Sequence, residues 1–152
     1  MHVSVGIPEI DQQHRRILEL LESMLHSAEA REDWYRRYEQ MLELKSASDL
    51  HFEVEESLMR IHGYPSGGHH AQEHSDYARL IDELLVRGVS KPLGLGGVEF
   101  LIDWWARHIP QHDQPYADWF ARVPRAAVTV PAEARTFGLA ATASGGPTSR
   151  SC

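Results

Sequence analysis

The chain of 152 residues has a single cysteine, Cys152, at its last position. No intrachain disulfide can form, and neither a zinc finger nor an iron–sulfur cluster can be built without thiolates. No stretch is long and apolar enough to span a bilayer. The first residues, Met1 to Pro8, lack the basic-then-apolar pattern of a secretory leader, so a cytoplasmic location is expected. Basic clusters with interleaved aromatics are also missing. With Asp+Glu 22 against Lys+Arg 15 the formal charge is -7, which disfavours nucleic acid and anionic membranes as partners. Few segments alternate with period two, so a sheet is not expected. The length fits one folded domain.

What the chain does have is helical periodicity. Ile10, His14, Ile17, Leu21, Met24 and Ala28 recur at steps of four and three after Pro8, with Asp11 as the expected N-cap. A second helix is predicted over about 33–61, carrying Tyr38, Met41, Leu44, Ser48, His51, Glu55 and Leu58. The helix breakers from Gly63 to Gly68 end it. A third, over about 69–86, carries His70, His74, Tyr77, Ile81 and Leu84. After a loop over 88–97, a fourth over about 98–120 carries Val98, Leu101, Trp105 and His108. Four amphipathic helices with modest connections predict an all-α, antiparallel up-down-up-down four-helix bundle within residues 1–122. From 123 to 152 prolines, glycines, alanines and hydroxyl residues dominate, and a disordered tail is expected.

Each predicted helix places ligand-type residues where leucine would serve better. His51/Glu55 and His70/His74 are i, i+4 pairs, which point to one face. Burying such groups is costly unless each is satisfied, and metal ions satisfy them together. Five imidazoles offer five donors and two bridging carboxylates offer four. A solvent-derived bridge adds one to each of two ions, which leaves one of twelve octahedral positions open. The fourth helix poses a conflict. From His108 an ordinary helix leads inward to His112, not to Asp113. Pro110 lies between them, removing a hydrogen bond to Ala106, and a π-type turn there would bring Asp113 to the inner face.

The stretches Val5–His14, His51–Glu56, Tyr64-Pro65 leading to His70 and His74, and Trp104 with His108-Ile109 and Asp113 run in order over about residues 4–120. In this pattern the chain resembles the hemerythrins, single-domain bacterial ones in particular. The resemblance implies a non-haem site of two iron ions with an oxo or hydroxo bridge. His70, His74 and His108 would bind one iron, His14 and His51 the other, and Glu55 and Asp113 would bridge them. It further implies reversible dioxygen binding in a dry pocket walled by Phe52, Trp104 and Trp105. Trp105 stands where leucine is more usual. Dioxygen storage, delivery or sensing by a monomer or weak oligomer, with an unidentified protein partner in the sensing case, is the leading expectation. A di-iron enzyme or sensor acting on peroxide, nitric oxide or ferrous iron is the alternative. Glu-x-x-His, used twice by ferritin-like oxidases, occurs nowhere in the chain.

Overall fold

A computed structural model describes residues 4–91 and 93–123. The expected tail lies outside the described residues, apart from Val123. The elements are α1 (Pro8–Glu29), α2 (Trp34–His62), α3 (Gly67–Gly88), α4 (Leu95–His108), a π-helical turn (Ile109–Asp113) and α5 (Gln114–Arg122). The last three run on as one rod, the fourth of an antiparallel bundle. No strand occurs among the described residues, and no helix among them is long and apolar enough to cross a membrane.

The helix ends follow from local chemistry. Proline sits in the first turn of α1, where a missing N–H costs nothing. The expected cap at Asp11 is not formed, because Asp11 lies a full turn inside the helix, with Ile7 at the cap. Its carboxylate instead accepts from the Ser4 hydroxyl and the Val5 N–H, both at 2.7 Å, and so straps the entering chain across the helix start. Val5 and Ile7 are buried by that strap. Asp11→Ala is expected to cost about 2 kcal/mol through two lost hydrogen bonds to a charged group. A thermal melt at wild-type temperature would show the strap to be idle.

Asp33 caps α2 by accepting from the Arg36 N–H at 3.0 Å. Gly63 ends the helix with φ +68°, a conformation that would strain a side chain, while the Tyr64 N–H returns to the Met59 carbonyl at 2.9 Å. Helices α3 and α4 each start earlier than the periodicity predicts, at Gly67 and Leu95. The apolar stripes also drift: Met59 and Leu85 are buried, where Leu58 and Leu84 were expected, and these two are half-buried. A straight 3.6-residue helix precesses against a strict seven-residue repeat, so a stripe extrapolated over many turns slips by one position.

The predicted conflict after His108 resolves as a wide turn. Pro110 cannot donate to Ala106, the ladder opens, and the Gln114 N–H reaches the Ile109 carbonyl five residues back. The extra residue rotates the helix so that Asp113 faces the core at 0% exposure, while His112 is left half-buried at the rim.

Candidate metal centre

The core holds two layers of different character. Toward one end Ile17, Leu21, Met24, Met41, Leu44, Ile81 and Leu101 make an apolar layer. Toward the other, His14 on α1, His51 and Glu55 on α2, His70 and His74 on α3, His108 on α4 and Asp113 on the π turn converge, none more than 2% exposed. All seven residues singled out from the sequence are thus brought together. Their ligand atoms form two groups, Glu55 with His70, His74, His108 and Asp113, and His14 with His51 and Asp113. Within each group the atoms lie within 4.8 Å of one another.

The distances have the scale of a coordination shell. His108 Nε2 lies 3.1 Å from His74 Nε2 and 3.3 Å from His70 Nε2. Glu55 Oε2 lies 3.2 Å from His70 Nε2 and 3.4 Å from His74 Nε2. Asp113 Oδ1 is 3.1 Å from both His70 and His108, while its other oxygen, Oδ2, is 3.0 Å from His14 Nε2. Adjacent ligands about 2.1 Å from an octahedral ion stand roughly 3.0 Å apart.

The atoms are also unsatisfied without an ion. The His51 Nε2, both oxygens of Glu55 and both oxygens of Asp113 have no hydrogen-bond partner among the described residues, although imidazole nitrogens stand close by. Carboxylate and imidazole atoms gathered this closely, deep in a core, cost several kcal/mol unless a cation lies among them. The residues therefore fit a metal centre, and the two groups sharing Asp113 fit a di-iron site.

Electrostatics agree. Burial pushes His51 down to about 3, so its imidazole is neutral and able to donate a lone pair. Burial, then the neighbouring imidazoles, likewise lower His74. Burial also pulls His70 down, but the Asp113 and Glu55 carboxylates outweigh it and hold His70 at about 9. Burial raises Asp113, yet the facing imidazoles of His108, His14 and His70 keep it well below the usual carboxylate range. Glu55 is raised by burial and by Asp113. Confined without a cation, the pair resists carrying two negative charges, and cations between them would remove that resistance.

Two outer contacts escaped the sequence reading. The Nδ1 of His51 faces Gln13 Oε1 at 3.2 Å, and the Nδ1 of His74 faces Glu56 Oε1 at 3.1 Å. Both acceptors fix a tautomer with the proton on Nδ1 and the lone pair of Nε2 turned inward. Glu56 lies next to a ligand in sequence, and only its reach to another helix gives it a role, which one helix's periodicity does not report.

The aromatic residues expected at the pocket are adjacent. Phe52 stacks on His74 at 4.0 Å between ring centres and on Trp105 at 5.6 Å. Trp105 is fully buried, with its ring 5.4 Å from that of His51. Its indole N–H donates to the Tyr77 hydroxyl at 2.9 Å. Trp104 is half-buried and stacks on His108 at 4.3 Å.

The family description "Hemerythrin HHE cation binding domain" matches residues 5–120. Similar curated proteins include the bacteriohemerythrin of Stenotrophomonas maltophilia (strain R551-3), 34% identical over 121 residues, covering 76% of each chain. The bacteriohemerythrin of Pseudomonas paraeruginosa is 32% identical over 117 residues, again covering 76% of each. Among solved structures, a wild-type hemerythrin superposes with a TM-score of 0.68 over 71% of this chain and 84% of its own, at 24% identity. A leucine-to-alanine mutant of hemerythrin reaches 0.72 over 75% of this chain and 88% of its own, at 23% identity. The chain belongs to the hemerythrin family.

Proposed function

We infer that the chain is a non-haem di-iron protein that binds dioxygen reversibly, serving in storage, delivery or sensing. The observation that carries the reading is the division of Asp113, one oxygen turned to His70 and His108 and the other to His14. A carboxylate shared in this way suits two neighbouring cations. In this reading His70, His74 and His108 hold one iron, His14 and His51 hold the other, and Glu55 and Asp113 span both. The second group has fewer protein donors, so room for a small ligand lies on the His14/His51 side. A ligand set of imidazole and carboxylate, without sulfur, suits iron.

Two ferrous ions, when bound, supply the two electrons that dioxygen takes up and returns. The remaining tasks fall to the protein. Gln13 and Glu56 orient His51 and His74. Phe52 and Trp105 roof the site with carbon, and the one N–H of Trp105 is engaged by Tyr77, away from the site. A wall of carbon beside the bound gas, with that N–H already engaged, favours release of dioxygen unchanged over its irreversible reduction.

The test is spectroscopic. The reduced protein, carrying two irons per chain, is expected to gain visible absorption in air and lose it under argon through repeated cycles. Irreversible bleaching with consumption of peroxide would replace this reading with the enzymatic one. A colourless chain that retains zinc and no iron would end both. Trp105→Leu is expected to speed dioxygen release several-fold in stopped-flow traces, because it opens space beside His51. Unchanged rates would remove Trp105 from the access route.

A further inference from the structure

The two groups of the cluster differ in what stands behind their imidazoles. In the group of three histidines, His74 Nδ1 meets a carboxylate, Glu56 Oε1, at 3.1 Å. In the group of two, His51 Nδ1 meets an amide, Gln13 Oε1, at 3.2 Å. The same ring position therefore faces a full negative charge in one half and a neutral dipole in the other. The Nδ1 atoms of His70 and His108 have no hydrogen-bond partner among the described residues. Glu56 is thus the one acceptor, among those residues, on the outer nitrogens of its group.

The surroundings of Glu56 tolerate its charge. It is 27% exposed and lines a surface cleft of about 280 Å³ together with Arg60, whose guanidinium lies 3.7 Å from the second carboxylate oxygen. His74 is enclosed, at 1% exposure, with Phe52 stacked on its face. The contact between them lies at the edge of a poorly screening interior, where a charge-assisted hydrogen bond is strong.

An imidazole that donates its N–H to a carboxylate is a more basic ligand through its other nitrogen than one that donates to an amide. A more basic ligand favours the higher charge state of the ion it holds. We propose that Glu56, acting through His74, sets the His70/His74/His108 half of the centre at a lower reduction potential than the His14/His51 half, where Gln13 brings no charge. This rests on the reading of the cluster as a di-iron centre. It makes Glu56 and Gln13 positioning residues with unequal electronic effects. The step they govern moves one electron and no proton. With ferricyanide as oxidant, one bound ferrous ion becomes ferric, ferricyanide becomes ferrocyanide, and the shared proton stays between Nδ1 and Oε1. In the half-oxidised chain the remaining ferrous ion is then the one on the side with room for a small ligand.

The experiment is a potentiometric titration of the full-length, iron-loaded protein with ferricyanide and dithionite, with iron per chain measured in parallel. Two separate one-electron steps are expected. Glu56→Gln keeps an acceptor for His74 and removes the charge. It should retain both irons and raise the lower step by about tenfold in the ferrous-to-ferric ratio, about 59 mV. Gln13→Glu, the converse change, should lower the upper step by a similar amount. A single two-electron step in the wild type, or unmoved potentials in both variants, would overturn the proposal. Loss of iron from Glu56→Gln would overturn it too, since Glu56 would then hold the site together rather than tune it. A wild-type chain that binds no iron would instead defeat the reading of the inner cluster, so the two failures are distinct.

Discussion

Asp113→Ala should leave the chain with little or no bound iron, whereas His112→Ala should retain both ions. Among the described residues, the aspartate alone is placed against both groups of the cluster at hydrogen-bonding range, through a different oxygen to each. Without it His14 and His108 lose the carboxylate that faces them, and in the proposed di-iron reading the centre loses a bridge. Deleting one partner of a buried charged set costs about 3–5 kcal/mol even before the ions are counted. Iron per chain by colorimetric assay and the melting temperature together measure the effect. His112, half-buried at the rim, has no atom in the inner groups, and its removal leaves their geometry alone. Wild-type iron in the first variant, or an iron-free second variant, would mean that the wide turn aims the wrong residue inward.

Acid should empty the site and then destabilise the fold. His51 is held at about 3 in the folded chain against 6.5 in an unfolded one. Between those values the unfolded chain binds the extra proton, so stability falls as the pH drops. The fall from 6.5 to about 3 corresponds to roughly 5 kcal/mol if complete. His74 acts in the same direction. His70 acts in the opposite one. Raised to about 9, it contributes stability that is fully present below 6.5 and lost as the pH rises through 9. Asp113, held low, contributes stability that disappears only in strong acid. Glu55, raised to about 7, also opposes the fall between pH 7 and 4.5. The two depressed imidazoles outweigh it there, His70 being protonated in both states below 6.5, and a bound metal reinforces the trend because each imidazole must be neutral to ligate. Iron content and melting temperature are expected to decline together from pH 6.5 to pH 4. A loaded protein with the same melting temperature at both ends would refute this account.

Most of the fold was legible because the buried positions repeat. His14, His51, His70, His74 and His108 each fall on the apolar stripe of their own helix, and a stripe fixes which side faces inward. Glu55 was legible for the same reason. Asp113 was not legible from periodicity, which favoured His112, and was named only through the family resemblance, since its position depends on a break in the very pattern that located the others. Pro110 announced the break, but whether the chain would bend outward or widen by one residue is decided by the packing of the turn. Gln13 and Glu56 were invisible for a further reason. Their roles are set by the separation between helices, at which their tips reach His51 and His74, and one helix's pattern carries no such information. Asp11 misled the reading because its residue type suits a cap, while its partners, Ser4 and Val5, lie in a segment without periodicity.

The turn at Ile109–Asp113 holds one residue more than an ordinary helix needs to join its two halves. Shortening it at Gln111 would let the rod close into regular α-helix with His108 and Asp113 still on the same side, now four apart. Tyr116 and Ala117 would remain inward with them. The same single deletion at most other places along 95–122 would swing everything beyond it by about 100°. This short stretch is thus where the rod tolerates a change of length, a slack link that could be gained or lost without scrambling what lies on either side.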